Sequence, residues 1–332
     1  MQAMLNYQKD SRNSVSDVEK TEHKIAIVLP CYNEAEVLPE TYSRLCPVVD
    51  ELKRLGVEAS LVFVDDGSRD DTWQLIAQFA SADDRVSGIK LSRNVGHQRC
   101  LWAGLAETVD KFDAAITIDA DLQDDERTIA DMVKAYADGC DIVYGIRRKR
   151  ETDSFFKRWS AKLFYSLMRK ADGDILDNHA DYRLMSNRAV KALLNYPERN
   201  LFLRGIVRKI GFREGFVYYD RKSREMGQSK YPLSKMLHLS FDGITSFSVA
   251  PLHFITFVGV VMTVVSFLAI VWAVYEYFDD HTIEGWTSTL VSLWFIGGVV
   301  TTAIGIIGTY IGKIYTEVKR RPHYFVESFL NL

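Results

Sequence analysis

Two aspartates and a glutamine alternate along the chain directly after a short apolar run at residues 114–118. They are Asp119, Asp121 and Gln123. Residues i and i+2 of an extended segment point the same way, so these side chains can offer oxygen atoms to one point. Hard oxygen ligands favour Mg²⁺ or Mn²⁺ over zinc, and such ions usually bridge to phosphates. The same residues also suit an Asp-rich turn that caps a helix, so the pattern alone leaves both interpretations open.

Two further polar groups follow apolar runs in the same manner. The run at 25–29 precedes Pro30, Tyr32, Asn33 and Glu34, and the run at 60–64 precedes Asp65 and Asp66. The carboxyl ends of parallel strands lie at one edge of a sheet, where ligands bind. Three strand ends that deliver acidic and amide groups to one edge favour a binding site over three ordinary turns.

Several common sites are excluded by their missing motifs. The chain has no GxxxxGK, and no GxGxxG follows its first apolar run, so neither a P-loop nor a Rossmann dinucleotide site is expected. It also lacks the GxSxG and HExxH motifs of common hydrolases. A pyrophosphate bound at this edge must therefore be neutralised by a metal ion.

The elements that position these residues follow from composition and patterning. The chain has 332 residues, of which 47% are hydrophobic, and this suffices for a folded core. A net charge of −3 argues against an overall basic, nucleic-acid-binding protein. Between residues 25 and 219, short apolar runs alternate with helix-like segments such as 36–55 and 72–81. This alternation predicts an α/β fold with a mostly parallel sheet covered by helices on both faces.

The last third of the chain is predicted to meet a membrane. Residues 251–275 and 287–312 contain no Asp, Glu, Lys or Arg, and each run can cross a hydrocarbon core of about 30 Å. The linker between them carries only acidic charges, whereas Lys and Arg follow the second run, so both ends are expected in the cytoplasm. The GxxxG pair Gly308 and Gly312 suits a homo-oligomer through these helices, although glycine is common in spans anyway.

A helical rhythm of apolar residues at 231–248 precedes the first run and predicts a helix lying in the membrane interface. A helix packed on the soluble domain is the alternative. Just before it stand four basic residues, Arg221, Lys222, Arg224 and Lys230. They suit phosphate binding, and they equally suit attraction to anionic lipid headgroups.

These features divide the chain into five segments. A polar tail covers residues 1–24, and a cytoplasmic catalytic domain covers 25–230. An interfacial helix at 231–250, a two-helix transmembrane hairpin at 251–312 and a cytoplasmic tail at 313–332 follow. The prediction is a multi-pass protein of the inner (plasma) membrane with both termini in the cytoplasm.

The sequence resembles the family 2 glycosyltransferases of GT-A fold. The matching segments are 30–34, 64–68, 91–97, 119–123, 144–147, 180–184, 204–205 and 224–231. With two C-terminal spans, the chain is most similar to the polyisoprenyl-phosphate glycosyltransferases. Within that group it resembles the bactoprenol glucosyltransferases, which are relatives of dolichyl-phosphate mannose synthase. The longer polar tail before residue 24 departs from the family pattern.

The resemblance implies a role for each group of residues. The donor nucleotide would contact Pro30, Tyr32, Asn33, Glu34, Asp65 and Asp66. The metal and the sugar diphosphate would be held by Asp119, Asp121 and Gln123. The catalytic pocket would contain Asp121, Asp181 and Arg147, and the lipid phosphate would meet Arg147, Arg224 and Lys230. Asp181 would orient the sugar or a water, or would pair with Arg183.

The implied reaction is inverting transfer of a hexose, glucose from UDP-glucose, to undecaprenyl or another polyprenyl phosphate, with Mg²⁺ or Mn²⁺ as cofactor. A phosphate monoester has a second pKa of about 6, so this acceptor is already an anionic nucleophile at neutral pH. It needs no strong general base, but it needs cations that bring two anionic substrates together. A divalent ion would neutralise the departing diphosphate.

Three alternatives stay open. Transferases for mannose or aminoarabinose use nearly the same motifs. A processive polysaccharide synthase shares the catalytic domain, but this chain has few spans for a channel and lacks the Gln-x-x-Arg-Trp motif. A non-catalytic membrane scaffold would not need the acidic groups at 65–66 and 119–121. His97 is expected to be a satisfied loop histidine rather than a site residue.

Overall fold

The computed structural model describes residues 23–121, 123–148, 179–199, 203–220, 250–278 and 285–332. Some of the predictions lie outside these ranges. They concern most of the polar tail, the interfacial helix, and the basic residues Arg224 and Lys230.

An eight-stranded mixed sheet forms the centre of the described chain, in the order β7-β5-β6-β4-β1-β2-β3-β8. The strands are β1 (His23–Cys31), β2 (Val57–Asp65), β3 (Val86–Leu91), β4 (Ala114–Thr117), β5 (Ile142–Arg147), β6 (His179–Ser186), β7 (Glu214–Tyr219) and β8 (Val326–Leu330). Strands β4, β1, β2 and β3 run parallel to one another, as do β5 and β7. Strand β6 is antiparallel to β4 and β5, and β8 is antiparallel to β3. The predicted mostly parallel sheet is confirmed.

Helices cover both faces of this sheet. They are α1 (Leu38–Arg54), α2 (Thr72–Ala82), α3 (His97–Thr108), α4 (Thr128–Ala137), α5 (Asn187–Leu194) and α6 (Leu203–Lys209). Along β1, Ile25, Ile27 and Leu29 pack with α1, α2 and α4 on one face. Ala26 and Val28 pack with α3, α5 and α6 on the other. Burial on both faces explains why the strands read as continuous apolar runs.

Local sequence features set several helix ends. Helix α1 has a proline in its first turn, where no intrahelical N–H is needed. Helix α5 is capped by Ser186, whose Oγ accepts a hydrogen bond from the amide of Ala189 at 3.2 Å. The segments predicted as helices at 36–55 and 72–81 are confirmed to within a few residues.

Two long apolar helices follow the domain, α7 (Ala250–Phe278) and α8 (Trp286–Lys319). Their described side chains include many exposed apolar groups, such as Phe254, Phe295 and Ile304. Within the described residues, the segment Phe295–Lys319 is long and apolar enough to cross a membrane by length and composition. The structure thus supplies one candidate span where the sequence predicts two.

The C-terminal residues 313–332 contain the end of α8 and the last strand of the sheet. Helix α8 continues to Lys319 and ends where Arg320 adopts a left-handed conformation with φ of 46°. The chain then returns to the domain and adds β8 beside β3, with Phe329 opposite Ile89. No local signal predicts this five-residue strand, because its partner β3 lies far earlier in the chain.

Replacing Asn331 by alanine tests how firmly this strand is attached. The Asn331 Nδ2 donates to the carbonyls of Ala80 at 2.7 Å and Val86 at 3.2 Å, and its φ is 51°. Loss of these bonds is expected to lower the free energy of unfolding by about 1–3 kcal/mol. Urea denaturation in detergent measures the effect, with the exposed Asn195→Ala as control. Equal loss in both variants would contradict the attachment.

Candidate active site

Three strand ends meet at one edge of the sheet. Cys31 at the end of β1 stands opposite Asp65 at the end of β2, and Val28 stands opposite Thr117 at the end of β4. Strand β6 runs the other way, with Arg183 opposite Thr117, so its first residues lie at the same edge. The structure therefore brings together the three polar groups that the sequence singled out.

The loops after β1 and β2 form one cross-linked wall. The amide of Asn33 donates to Ser68 Oγ at 2.9 Å, and the amide of Arg69 donates to Asn33 Oδ1 at 2.8 Å. The amide of Glu34 donates to Thr72 Oγ1 at 2.9 Å. Tyr32, which is 42% exposed, presents its ring from this wall. A flat exposed ring on a rigid loop is suited to stack on a planar ligand.

Asp65 is fully buried and only half satisfied. Its Oδ1 accepts the amide of Ser68 at 3.1 Å, whereas its Oδ2 has no hydrogen-bond partner within the described part of the chain. Burial raises the pKa of this carboxyl. A buried acceptor without a donor costs free energy.

Asp66 uses both oxygens on the backbone of the loop that follows β3. Oδ1 accepts the amide of Val95 at 2.7 Å and Oδ2 accepts the amide of Gly96 at 3.0 Å. This loop leads directly into α3, whose first residue is His97. Asp66 therefore holds His97 in place, in addition to any contact with a nucleotide.

Replacing Gly67 by alanine is expected to lower the free energy of unfolding by about 2–4 kcal/mol. Its φ is 65°, and a Cβ there would lie 2.6 Å from the backbone carbon of Arg93 and the nitrogen of Asn94. Gly56→Ala is the matched control, because φ is 81° but no atom lies within 4 Å of its Cβ. Thermal and urea unfolding of both variants check this, and equal losses would show that the crowding is unimportant.

The loop after β4 carries the predicted metal ligands. Thr41 Oγ1 of α1 donates to the carbonyl of Ala120 at 2.8 Å, and this bond fixes the loop to α1. The amide of Gln123 donates to Asp121 Oδ1 at 3.2 Å, which closes the Asp-rich turn that the sequence also allowed. Asp119 keeps 32% of its side chain exposed at this edge.

Negative charge accumulates around Asp119. Burial and the neighbouring carboxylates of Asp181, Asp124 and Asp121 raise the pKa of Asp119 to about 6, against the opposing charge of His97. No group of three or more His, Cys, Asp or Glu side chains has a metal-binding arrangement in the described residues. The set Asp119, Asp121 and Gln123 instead offers two carboxylates and one amide. Such a partial shell fits a divalent ion that completes its coordination with phosphate oxygens and water.

Asp181 is the most heavily bonded carboxylate of the site and is 2% exposed. Its Oδ1 accepts Arg183 Nη2 at 2.6 Å. Its Oδ2 accepts Arg204 Nε at 3.2 Å and Nη2 at 3.0 Å, and Gln98 Nε2 at 3.2 Å. Burial opposes the charge, but His97 and the two arginines hold the pKa of Asp181 well below its usual range. Pairing with Arg183, one of the sequence alternatives, is present in the structure.

His97 belongs to this site, although the sequence analysis expected an ordinary loop histidine. Its Nε2 lies 3.5 Å from Asp181 Oδ2 and 3.6 Å from Asp119 Oδ1. Burial disfavours the imidazolium, but the hydrogen bond to Asp181 and the charge of Asp119 outweigh it and raise the pKa of His97. A 43% exposed imidazole thus bridges two carboxylates at the edge of the sheet.

Arg147 extends from the end of β5 into a second ion pair. Its Nη2 donates to Asp124 Oδ1 at 3.0 Å, and its Nε donates to Tyr219 Oη at 3.1 Å. Tyr219 Oη in turn donates to Asp124 Oδ1 at 2.5 Å. Asp124 therefore neutralises Arg147 and holds it in one orientation, while 16% of the arginine side chain stays exposed.

A match to a protein-family model shows the family of this chain. The model described as glycosyl transferase family 2 matches residues 26–194, just over half of the chain. The chain belongs to glycosyltransferase family 2. The match ends before α6 and β7, so Arg204 and Tyr219 of this glycosyltransferase complete the site from outside the matched part.

Curated relatives match nearly the whole glycosyltransferase. An uncharacterized glycosyltransferase of Bacillus subtilis, YkoT, is 50% identical over 93% of each chain. The bactoprenol glucosyl transferase of Shigella phage SfX is 39% identical over 92% of this chain and 99% of its own. A solved mannosyltransferase of Pyrobaculum calidifontis, in complex with GDP-Man and Mn²⁺, is 14% identical with a TM-score of 0.44, over 94% and 92% of the two chains. The relatives confirm the predicted family and enzyme class.

Besides His97, the sequence analysis did not assign four residues of the site, namely Gln98, Asp124, Arg204 and Tyr219. Arg204 lies in one of the segments that carried the family resemblance, and Gln98 directly follows another. Asp124 directly follows the predicted metal ligands. Their positions in or next to the motif segments could have identified these three residues from the sequence. Tyr219, in contrast, is brought to the site only by the pairing of β7 with β5.

Proposed function

We propose that this glycosyltransferase moves a hexosyl group, glucose from UDP-glucose, to undecaprenyl or another polyprenyl phosphate at the cytoplasmic face of the inner (plasma) membrane. The observation that carries the proposal is the 39% identity to a bactoprenol glucosyl transferase over 92% of this chain. An acidic site next to exposed cationic groups and a candidate membrane span support the same reaction.

The donor nucleotide would lie on the wall formed by the loops after β1 and β2. Pro30, Tyr32, Asn33, Glu34, Asp65 and Asp66 are the proposed nucleotide-binding residues. Tyr32, which is 42% exposed, would stack on the base.

Asp119, Asp121 and Gln123 would hold Mg²⁺ or Mn²⁺ against the donor diphosphate. When bound, the ion would supply positive charge to the leaving group. Arg204, which is 40% exposed beside Asp119, would hold a phosphate in a forked geometry. Arg147, Arg224 and Lys230 would bind the lipid phosphate. Arg224 and Lys230 lie outside the described residues.

The reaction would be a single in-line displacement. The lipid phosphate is already ionised and would attack the anomeric carbon opposite the departing diphosphate, with inversion. Asp181, whose two oxygens carry Arg183, Arg204 and Gln98, would act as the anion that fixes these groups. It is therefore a poor candidate for a base that removes a proton.

The membrane arrangement would place the site close to the lipid phosphate. We extend the candidate span to a two-helix hairpin made by α7 and α8, with both termini in the cytoplasm. Lys319, Arg320 and Arg321 follow the apolar part of α8, and β8 of the catalytic domain begins at Val326. The amide of Arg199 donates to Glu317 Oε2 at 2.7 Å, which ties the end of α8 to the domain. Since only six residues separate Lys319 from β8, the domain must lie on the same side as these basic residues.

A product assay tests the proposal. Purified enzyme in detergent would receive radiolabelled UDP-glucose, GDP-mannose or another sugar nucleotide, together with undecaprenyl phosphate and Mg²⁺ or Mn²⁺. Label in an organic-extractable monosaccharide lipid, most rapidly from UDP-glucose and abolished by excess chelator, is expected. A polymeric product, or ready transfer to a water-soluble alcohol without use of the lipid phosphate, would refute it.

A further inference from the structure

Gln98 joins three elements that carry the site. It is the second residue of α3, and its Nε2 donates to Asp181 Oδ2 of β6 at 3.2 Å. Its Oε1 accepts the amide of Leu203, the first residue of α6, at 3.0 Å. A side-chain amide offers one donor group and one acceptor, and both are used here in different directions. Neither an acid nor an apolar residue of this size can make both contacts.

Arg204 is the residue that these contacts constrain. It directly follows Leu203, whose amide Gln98 holds, and it shares Asp181 Oδ2 with Gln98. Arg183, in contrast, is 2% exposed and bonds the other carboxylate oxygen. Arg204 is 40% exposed, so it is the arginine of this pair that a ligand can reach.

We propose that Gln98 is a positioning residue that aims the Arg204 guanidinium at a phosphate of the reacting pair. The inference rests on the proposed function, since the phosphate belongs either to the donor diphosphate or to the polyprenyl phosphate. Arginine has a long flexible stem, and a guanidinium that is held in place before the ligand arrives loses less freedom on binding. Two links from one amide, to the preceding backbone and to the shared carboxylate, supply that restraint.

A double-mutant cycle tests this role. The variants are Gln98→Leu, Arg204→Gln and the combination, assayed for kcat and for KM toward UDP-glucose and polyprenyl phosphate. Gln98→Leu is expected to lower kcat/KM by about 10- to 100-fold, mainly by raising KM for one of the two substrates. In the Arg204→Gln background the same change should have almost no further effect, because the group that it positions is absent. The substrate whose KM rises identifies the phosphate.

Control variants separate positioning from general damage. Gln74→Leu removes an exposed glutamine of α2 and should leave both KM values unchanged. Gln98→Glu keeps an acceptor for the Leu203 amide and removes the donor to Asp181. If the leucine variant does not fold, this variant tests the hydrogen bond between Gln98 and Asp181. It should also raise KM for the same substrate.

Additive effects in the cycle, or unchanged KM values in the Gln98 variants, would overturn the proposal. Binding of UDP and of polyprenyl phosphate by calorimetry, each measured across the same four proteins, gives an arm that does not depend on turnover. If the wild-type protein failed to transfer sugar to polyprenyl phosphate, the proposed function would fall. A non-additive cycle in either affinity would still support the positioning role, and additive cycles in both would still refute it.

Discussion

Replacing Asp119 or Asp121 by asparagine is expected to reduce sugar transfer by about 10²- to 10³-fold, because the charge that holds the cation at the donor diphosphate is lost. The fold should survive, because burial and the neighbouring carboxylates raise the pKa of Asp119 to about 6, so its charge does not stabilise the folded state. A carboxyl whose folded pKa is raised stabilises the protein below its unfolded pKa, and this contribution disappears as pH rises through about 6. The Asp119→Asn change removes that charge, so stability at neutral pH should be equal or slightly higher.

Initial rates with UDP-glucose and polyprenyl phosphate, over a titration of Mg²⁺ or Mn²⁺, check the loss of transfer, and thermal unfolding checks the retained stability. Asp131→Asn is the matched control, since its carboxylate is 60% exposed on α4 and pairs with Lys134 of the same helix. It should transfer sugar at the wild-type rate. Wild-type-like turnover in both site variants would remove the metal assignment.

Replacing Asp181 by asparagine is expected to lower the free energy of unfolding by about 3–5 kcal/mol and to abolish most transfer. Asp181 and Arg183 are each 2% exposed, so the change leaves a buried guanidinium without its counter-charge. The folded pKa of Asp181 lies well below the unfolded value of about 3.9, so its stabilisation is present above a pH of about 4 and is lost on further acidification. Urea denaturation of both proteins from acidic to neutral pH measures the lost stability and its pH dependence.

Asp141→Asn provides the comparison for this loss. Asp141 is also buried and bonded to an arginine, but Arg188 is 67% exposed and can be solvated when its partner changes. Asp141→Asn should therefore lower the free energy of unfolding less than Asp181→Asn does. Adding Arg183→Gln to Asp181→Asn should recover part of the stability, because no buried charge then remains in this pair. Equal stability of the Asp181 variant and the wild type would show that the ion pair is unimportant.

The predicted edge of the sheet could be derived without a structure because its signals are local. Apolar strands such as 25–29 and 60–64 have a length and a composition that identify them, and parallel neighbours must end together. Asp65 follows the run at 60–64, and Asp119 and Asp121 follow the similar run at 114–118, so their placement at one edge follows from chain geometry. Family motifs then added the reaction class, which composition could not supply.

The ion pairs behind that edge required the tertiary structure. Strand β6 is antiparallel, and only this direction brings Asp181 beside His97 and Arg204 rather than to the opposite edge. Strand β8 likewise pairs with β3 across most of the chain length. Contacts between residues so far apart depend on how all intervening elements pack, and no single segment encodes them. Sequence alone therefore determined which side chains gather at the edge of the sheet, and the tertiary structure decided which side chains hold them in place.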